Sequence, residues 1–250
     1  MINYLSQRAT CRSFKKEDIK NHTIEELIEA ASHAPTTGNM QLYSVIITRD
    51  IDKKAQLAPA HFSQPAYMNA PVILTFCADF NRFVHWCEVS NAKPGFNNMQ
   101  SLIAAILDTT ILAQQFVTLA ELQGIGTCYF GTTTYNADKI ADILNLPKLV
   151  VPVITLAIGY PEGDCNPSDR LPVHSFLHNE SYPQRSDMEI KAIYNYKEEL
   201  PENKRFIKEN NKESLAQVFT DIRYPKENNE IFSKAFVDFI QKQGFYLPYE

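Results

Sequence analysis

Three groups of side chains in the sequence have the types and spacing to do chemistry. The first is Arg8-Ala-Thr10-Cys-Arg12-Ser-Phe14. In an extended segment, residues 8, 10 and 12 project to one face, so two guanidinium groups flank a hydroxyl. That set suits a phosphate dianion or a polarised carbonyl edge, because a guanidinium donates in a planar fork. Taken alone, the feature fits a solvated N-terminal arm better. The second group is Ala34-Pro35-Thr36-Thr37-Gly38-Asn39-Met40-Gln41, hydroxyls and amides clustered where a helix stops. They match a ligand's hydroxyls and heterocycle edge, and they are also the usual residues of a helix-terminating loop. The third is His174-Ser-Phe-Leu-His178 with Glu180 nearby. A metal centre needs three or more convergent ligands. No second pair at matching spacing accompanies these histidines, so we expect no metal.

Other chemistries find little support. There is no Gly-x-x-x-x-Gly-Lys-Ser/Thr loop, and Gly124-x-Gly126 lacks the third glycine of a dinucleotide fingerprint. Asp79, Asp108 and Glu121 have no evident carboxylate partner for glycoside hydrolysis. Ser13, Ser44 and Ser63 lack a nucleophile-elbow context. Among the cysteines, Cys11 alone lies between arginines, too little to nominate it as a nucleophile.

These groups must be positioned by a scaffold, and the apolar pattern sketches one. Thr23-Ile-Glu-Glu26 reads as a capping box before Ile24, Leu27, Ile28 and Ala31, a helix that Pro35 closes. Tyr43–Thr48, Val72–Phe76, Thr127–Phe130 and Val150–Ile158 read as strands rich in β-branched residues. Leu102–Gln123 reads as a long helix ended by Gly124-Ile-Gly126, and Ala137–Leu146 as another closed by Pro147. Leu102–Leu107 is apolar on every side and must be covered on every side, which a second subunit can do. Asp108, Gln114, Gln115 and Glu121 make the same helix a poor membrane span. Helices alternating with buried apolar strands give an α/β or α+β sheet sandwiched by helices.

The chain has 250 residues, 44% hydrophobic and 21% charged, with a net charge of −5. That balance is globular, and the acidic sign argues against nucleic acid as a default partner. Five scattered cysteines without a CxxC pair form neither a disulfide framework nor a zinc ribbon, so a cytoplasmic location is expected. Met1–Phe14 lacks the pattern of a signal peptide. From Ser181 on, 23 of 70 residues are charged, against 30 of the first 180. The tail still keeps an apolar stripe of Phe232, Phe236, Phe239 and Ile240, which marks it as a docked helical extension. We therefore divide the chain into a core, residues 1–182, and a helical extension, residues 183–250.

Several short motifs occur in a telling order. They are Arg8-x-Thr10-x-Arg12-x-Phe14, Pro35-Thr36-Thr37-x-Asn39-x-Gln41, Cys77-Ala-Asp-Phe-Asn-Arg82, Tyr129-Phe-Gly131, Arg170-Leu-Pro172, His178-x-x-Ser-Tyr182 and Gln243-Gly-Phe245. Together they resemble the nitroreductase family of FMN-dependent oxidoreductases, in its branch of larger NADPH-dependent nitroreductases and NADPH–flavin oxidoreductases. The resemblance implies a central mixed sheet flanked by helices, with a helical C-terminal extension. It implies a homodimer with two FMN sites built from both subunits, the long apolar helix lying at the interface.

Residue by residue, the resemblance puts Arg8 and Arg170 on the phosphate, with Thr10 as the hydroxyl partner. Arg12 is implied at the N1/O2 edge of the isoalloxazine, where a cation stabilises the reduced ring. Thr36, Thr37 and Asn39 come from the other subunit, and Gln64 meets the pyrimidine edge. The chain at Tyr129, Phe130, Gly131 and Thr132 lies near N5. The implied reaction is ping-pong: NADPH or NADH gives hydride to N5, and a nitroaromatic, quinone or free flavin then takes the electrons. The flavin carries the chemistry, so no catalytic acid–base pair is expected. Three positions depart from the branch: Thr132 for a glycine, Ser168 for a lysine and Thr134 for an arginine. They leave the choice between NADPH and NADH open, and Ser168 and Thr134 give a flavin-binding sensor with little turnover as the alternative.

Overall fold

A computed structural model describes residues 2–247, so Met1 and the last three residues of the expected extension lie outside it. Four strands form one sheet in the order β1-β2-β4-β3: β1 (Tyr43–Thr48), β2 (Val72–Asp79), β3 (Gly126–Phe130) and β4 (Val150–Gly159). All four were legible as β-branched apolar runs, with ends displaced by at most a few residues. The α+β class holds, but the expected mixture of strand directions does not. Every pairing in the sheet is antiparallel. Among the described residues a parallel pairing occurs at the isolated bridge between Asn98 and Tyr246. An apolar run buried on both faces carries no information on direction, because helices can cover either kind of sheet.

Pro152 lies inside β4, a central strand, where its missing N–H would break a ladder. The register shifts at Phe76/Cys77, with Cys77 opposite Pro152 and Phe76 opposite Ile154. The proline thus occupies a bulge, and β3 pairs only beyond it, from Thr155 to Gly159.

The helices are α1 (Ile2–Ser6), α2 (Asn21–Ala31), α3 (Ile51–Leu57), α4 (Pro65–Asn69), α5 (Asn81–Val89), α6 (Met99–Leu122), α7 (Ala137–Leu144), α8 (Asp187–Glu199), α9 (Pro201–Glu209), α10 (Leu215–Gln217) and α11 (Lys226–Lys242). The start of α2 differs from the capping-box expectation. It begins at Asn21 behind Lys20, with no side-chain cap, so Thr23 and Glu26 sit inside the helix. By contrast Asn98 caps α6, accepting from the Ser101 amide at 3.0 Å.

Strand β2 is buried along its whole length. Its Val72, Leu74 and Phe76 face α2 and α6, packing on Ile24, Leu27, Leu112 and Phe116. Ile73 on the opposite face packs with Leu57, Tyr67, Phe130 and Ile140. A third cluster joins Leu42, Phe80 and Leu102 to Phe239, Ile240 and Phe245.

The chain divides into two compact units, residues 1–166 with 232–250, and residues 167–231. The boundary expected at 182/183 therefore falls inside the second unit, and the end of the expected extension belongs to the first. The reason is the aromatic stripe: Phe239 and Ile240 are core residues, and the buried Gln243 donates to the Val150 carbonyl at 2.8 Å. The second unit is helical, and a Ser186/Glu189 capping box starts its α8.

Candidate functional site

The Arg8–Arg12 segment is extended but joins no strand. It is held beside β3, the Cys11 amide donating to the Thr127 carbonyl at 3.0 Å. Arg8 is half-buried and already engaged: its Nε and Nη2 donate to Glu121 Oε2 and Oε1 at 3.0 and 2.9 Å. Thr127 Oγ1 donates to the same carboxylate at 2.5 Å. Such a forked pair is among the stronger charge-assisted contacts, so any anion reaching Arg8 competes with Glu121. Thr10 is half-buried, and Arg12 is exposed with no hydrogen bond or ion pair among the described residues. Tyr129 donates to Gln114 Oε1 at 3.3 Å. Burial, set against the pull of Arg8 and reinforced by Glu121, pushes its phenol up to about 12, so it stays neutral. Arg8, Cys11, Glu121, Gly126 and Cys165 line a cavity of about 250 Å³ here.

The Pro35–Gln41 loop is organised by a residue the sequence reading left without a partner. Asp108 on α6 is 2% exposed. Its Oδ1 accepts from both the amide and the hydroxyl of Thr37 at 2.9 Å, and its Oδ2 from the Leu42 amide at 3.4 Å. Gly38, Asn39 and Gln41 take positive φ of 56°, 57° and 55° to make that turn. Asn39 is exposed, and the Thr36 Oγ1 is buried with no partner in the described structure.

The third region contains Gln64, Phe130, Gly131 and Thr132. Gln64 is half-buried at the start of α4, behind two left-handed residues, Phe62 and Ser63. Gly131 is exposed, and a Cβ there would meet nothing within 4 Å. Thr132 Oγ1 lies 2.9 Å from Nδ1 of His61, which stacks on Tyr67 with ring centroids 4.7 Å apart. Burial pushes His61 down to about 4, leaving a neutral ring at pH 7. The sequence offered no signal for this contact, because its partners are remote in the chain.

Arg170 belongs to the second unit, where it is exposed and its Nη1 donates to the Ser168 and Asp169 carbonyls at 3.2 and 2.8 Å. His178 packs edge-on against Tyr182 there. Among the described residues, no three histidine, cysteine or carboxylate side chains converge on a metal-sized site. A cavity of about 520 Å³ between Ile46–Lys53 and Ile143–Asn145 contains none of the sequence-predicted residues.

Three comparisons bear on this arrangement. The model of the nitroreductase family matches residues 5–160. The chain belongs to the nitroreductase family. The family match takes in the Arg8, Thr36 and Thr132 regions and stops short of Arg170. An FMN reductase (NAD(P)H) of Bacillus subtilis (strain 168) is 29% identical over 98% of this chain and 97% of its own. A solved chain from Bacteroides fragilis NCTC 9343 superposes with TM-score 0.96 at 48% identity, covering 98% of this chain and 100% of that one. The NfrA1 nitroreductase from B. subtilis superposes with TM-score 0.84 at 25% identity, covering 98% of each chain. These family relatives are matched nearly end to end, beyond residue 160 as well as before it.

Proposed function

We propose that the protein is an FMN-dependent oxidoreductase that takes electrons from NADPH or NADH and passes them to nitroaromatics, quinones or free flavin, donor and acceptor using one site in turn. The family match over residues 5–160, with FMN reductases and a nitroreductase among the relatives, carries this reading. FMN, when bound, supplies the ring that accepts hydride and returns the electrons. The residues present fit it. Arg12 is a cation without a partner among the described residues, Thr36 Oγ1 is a buried hydroxyl without one, and Gly131 leaves its flank open.

The chain's own residues have separate tasks in this reading. Arg8 and Thr10 hold the phosphate, Arg8 exchanging part of its Glu121 pairing for it. Arg12 provides uncompensated positive charge for the ring. Gln64, Tyr129, Phe130, Gly131 and Thr132 shape the ring's surroundings, and the neutral His61 fixes the Thr132 hydroxyl. Thr36, Thr37 and Asn39 act across a homodimer. Asp108 and Glu121 are thirteen residues apart on α6, roughly 20 Å along its axis, which separates the loop from Arg8 within one chain. The exposed apolar stripe Met99, Ile103, Leu107 and Ile111 on the same helix is the surface we assign to the second copy. We assign the protein to the cytoplasm, which suits its free cysteines.

The test is to add FMN to the purified protein and mix it anaerobically with NADPH or NADH. The expected result is stoichiometric FMN uptake, loss of flavin colour, and its return on adding a quinone or nitroaromatic. Failure to take up FMN overturns the reading. Uptake without oxidation of either nicotinamide turns it into a flavin-binding sensor.

A further inference from the structure

Outside the residues given a task above, the least explained group is a set of thiols beside Arg8. Cys11 is 1% exposed and packs in the same apolar cluster as Cys128, with the half-buried Cys165 against it. The Cys11 thiol donates to the Ser13 carbonyl at 3.0 Å, and Cys11 and Cys165 both line the 250 Å³ cavity with Arg8 and Glu121. The two come from opposite ends of the core's sequence, and a short antiparallel contact holds their segments together. Phe14 bridges Pro161, the Lys15 amide donates to the Tyr160 carbonyl at 2.8 Å, and the Glu162 amide donates to the Ser13 carbonyl at 3.0 Å. Cys11 itself is wedged against Gly126, where an added Cβ would come within 2.7 Å of the Cys11 Cβ. Cys165 follows Gly163, which has a φ of 82°, in a stretch without regular structure. One thiol is therefore fixed and the other can turn toward it, which is what the narrow geometry of a disulfide demands.

We propose that Cys11 and Cys165 form a reversible disulfide site, closed by peroxide, that ties the Arg8–Arg12 segment to the chain after β4 and slows flavin release. The last clause rests on the flavin reading above; the bond itself does not. Solvent reaches Cys165, so it meets the oxidant first. Its sulfur attacks hydrogen peroxide, the O–O bond breaks, water leaves, and Cys165 becomes a sulfenic acid. The Cys11 sulfur then attacks the Cys165 sulfur, the S–O bond breaks, and the departing hydroxide takes the Cys11 proton as water. Two thiols and one peroxide give one disulfide and two waters, the sulfurs losing the two electrons that the peroxide gains. Burial first, with neighbouring Cys165 adding to it and the Ser13 contact opposing, pushes the Cys11 thiol up to about 12, so Cys11 is not the sulfur that meets peroxide and gives up its proton only as it attacks Cys165. A small dithiol reverses the bond by exchange.

The experiment treats FMN-loaded protein with hydrogen peroxide, blocks remaining thiols under denaturing conditions and maps the peptides. The expected result is a loss of two hydrogens from the intact mass, a Cys11–Cys165 cross-linked peptide, and full reversal by a dithiol. The thermal midpoint should rise by roughly 5–10 °C, since the bond closes a long loop. Release of FMN into excess apo-flavodoxin-type acceptor should slow several-fold. Cys165→Ser, at a half-buried position, should remove the cross-link and both effects, while Cys87→Ser should keep them. Absence of the cross-link, or a Cys11–Cys128 bond in its place, overturns the site. A cross-link with FMN release unchanged overturns the control of flavin while leaving the bond. Failure of the protein to bind FMN at all is a different result, which sinks the flavin reading and leaves the peptide map to judge the disulfide.

Discussion

Burying a histidine ties stability to pH, and His61 shows in which direction. Its folded-state value of about 4 lies below the ordinary 6.5 because burial disfavours the imidazolium. Between those values the unfolded chain binds more protons than the folded one, so stability is lost as pH falls from 6.5 toward 4. The full loss is about 3 kcal/mol. Urea midpoints across that range should show it, and His61→Gln should flatten the acid limb relative to the parent. An equally steep limb in the variant would assign the effect to another group. At Arg12 the effect is on binding. Arg12→Ala should weaken FMN retention roughly ten- to hundredfold, in line with loss of a charged hydrogen-bonding partner, and slow reduction by NAD(P)H; equilibrium dialysis and stopped-flow traces check both. Parental retention and rate would remove Arg12 from the site. Arg8, Arg12, Thr36 and Thr37 stand out as candidates because their types recur at short spacings. Asp108, Glu121 and His61 were not. Each finds partners far away in sequence, and a carboxylate satisfied by remote amides or a guanidinium looks, in a one-dimensional chain, like any other.

At the scale of elements, close approach of backbone matters more than propensity. Gly159 ends β4 where an added Cβ would come within 2.8 Å of Pro71 and 2.9 Å of Phe14. Phe14 is the anchor that joins the N-terminal segment to Pro161. Gly159→Ala should therefore cost about 1–3 kcal/mol, the range for forcing atoms into a packed core. Gly95→Ala, with nothing within 4 Å of the new carbon, should stay within about 0.5 kcal/mol, as surface changes usually do. Chemical denaturation of the two variants makes the comparison, and equal costs would show that Phe14 yields freely. Strands β1 to β4 and the long helix α6 were readable because apolar periodicity survives in sequence. Strand direction was not, since a βαβ crossover and an antiparallel return leave the same alternation of helix and strand. Nor was the true start of α2, where tertiary packing of Ile24 and Leu27 sets the helix and the local capping pattern is overruled.

At the scale of the whole molecule, sequence composition separated a charged C-terminal part from the core but misplaced the seam. Charge density cannot see that Phe239, Ile240 and Gln243 return to the first unit. The all-round apolarity of α6 was visible and needs an explanation that one chain does not provide. Ile103, Leu107 and Ile111 are 42%, 55% and 41% exposed, four residues apart along one face of a helix whose opposite face, Leu112, Phe116 and Ala120 among it, is buried. In a two-fold assembly each would be buried twice, and each buried aliphatic side chain contributes about 1.5–3 kcal/mol. Leu107→Glu removes two such contributions and brings two carboxylates toward each other in an apolar seam, a cost that a dimer held by this face cannot absorb. Sedimentation velocity should show a dimer for the parent and a monomer for the variant. The variant should also lose FMN affinity by at least an order of magnitude, because Thr36, Thr37 and Asn39 would no longer reach the partner's arginines. Its own unfolding midpoint, measured at a concentration where the parent is also monomeric, should change little, since Leu107 is not part of the chain's own core. A dimer that survives Leu107→Glu with FMN in place would assign the stripe no role in assembly and would put the Thr36 loop and Arg8 on different ligands.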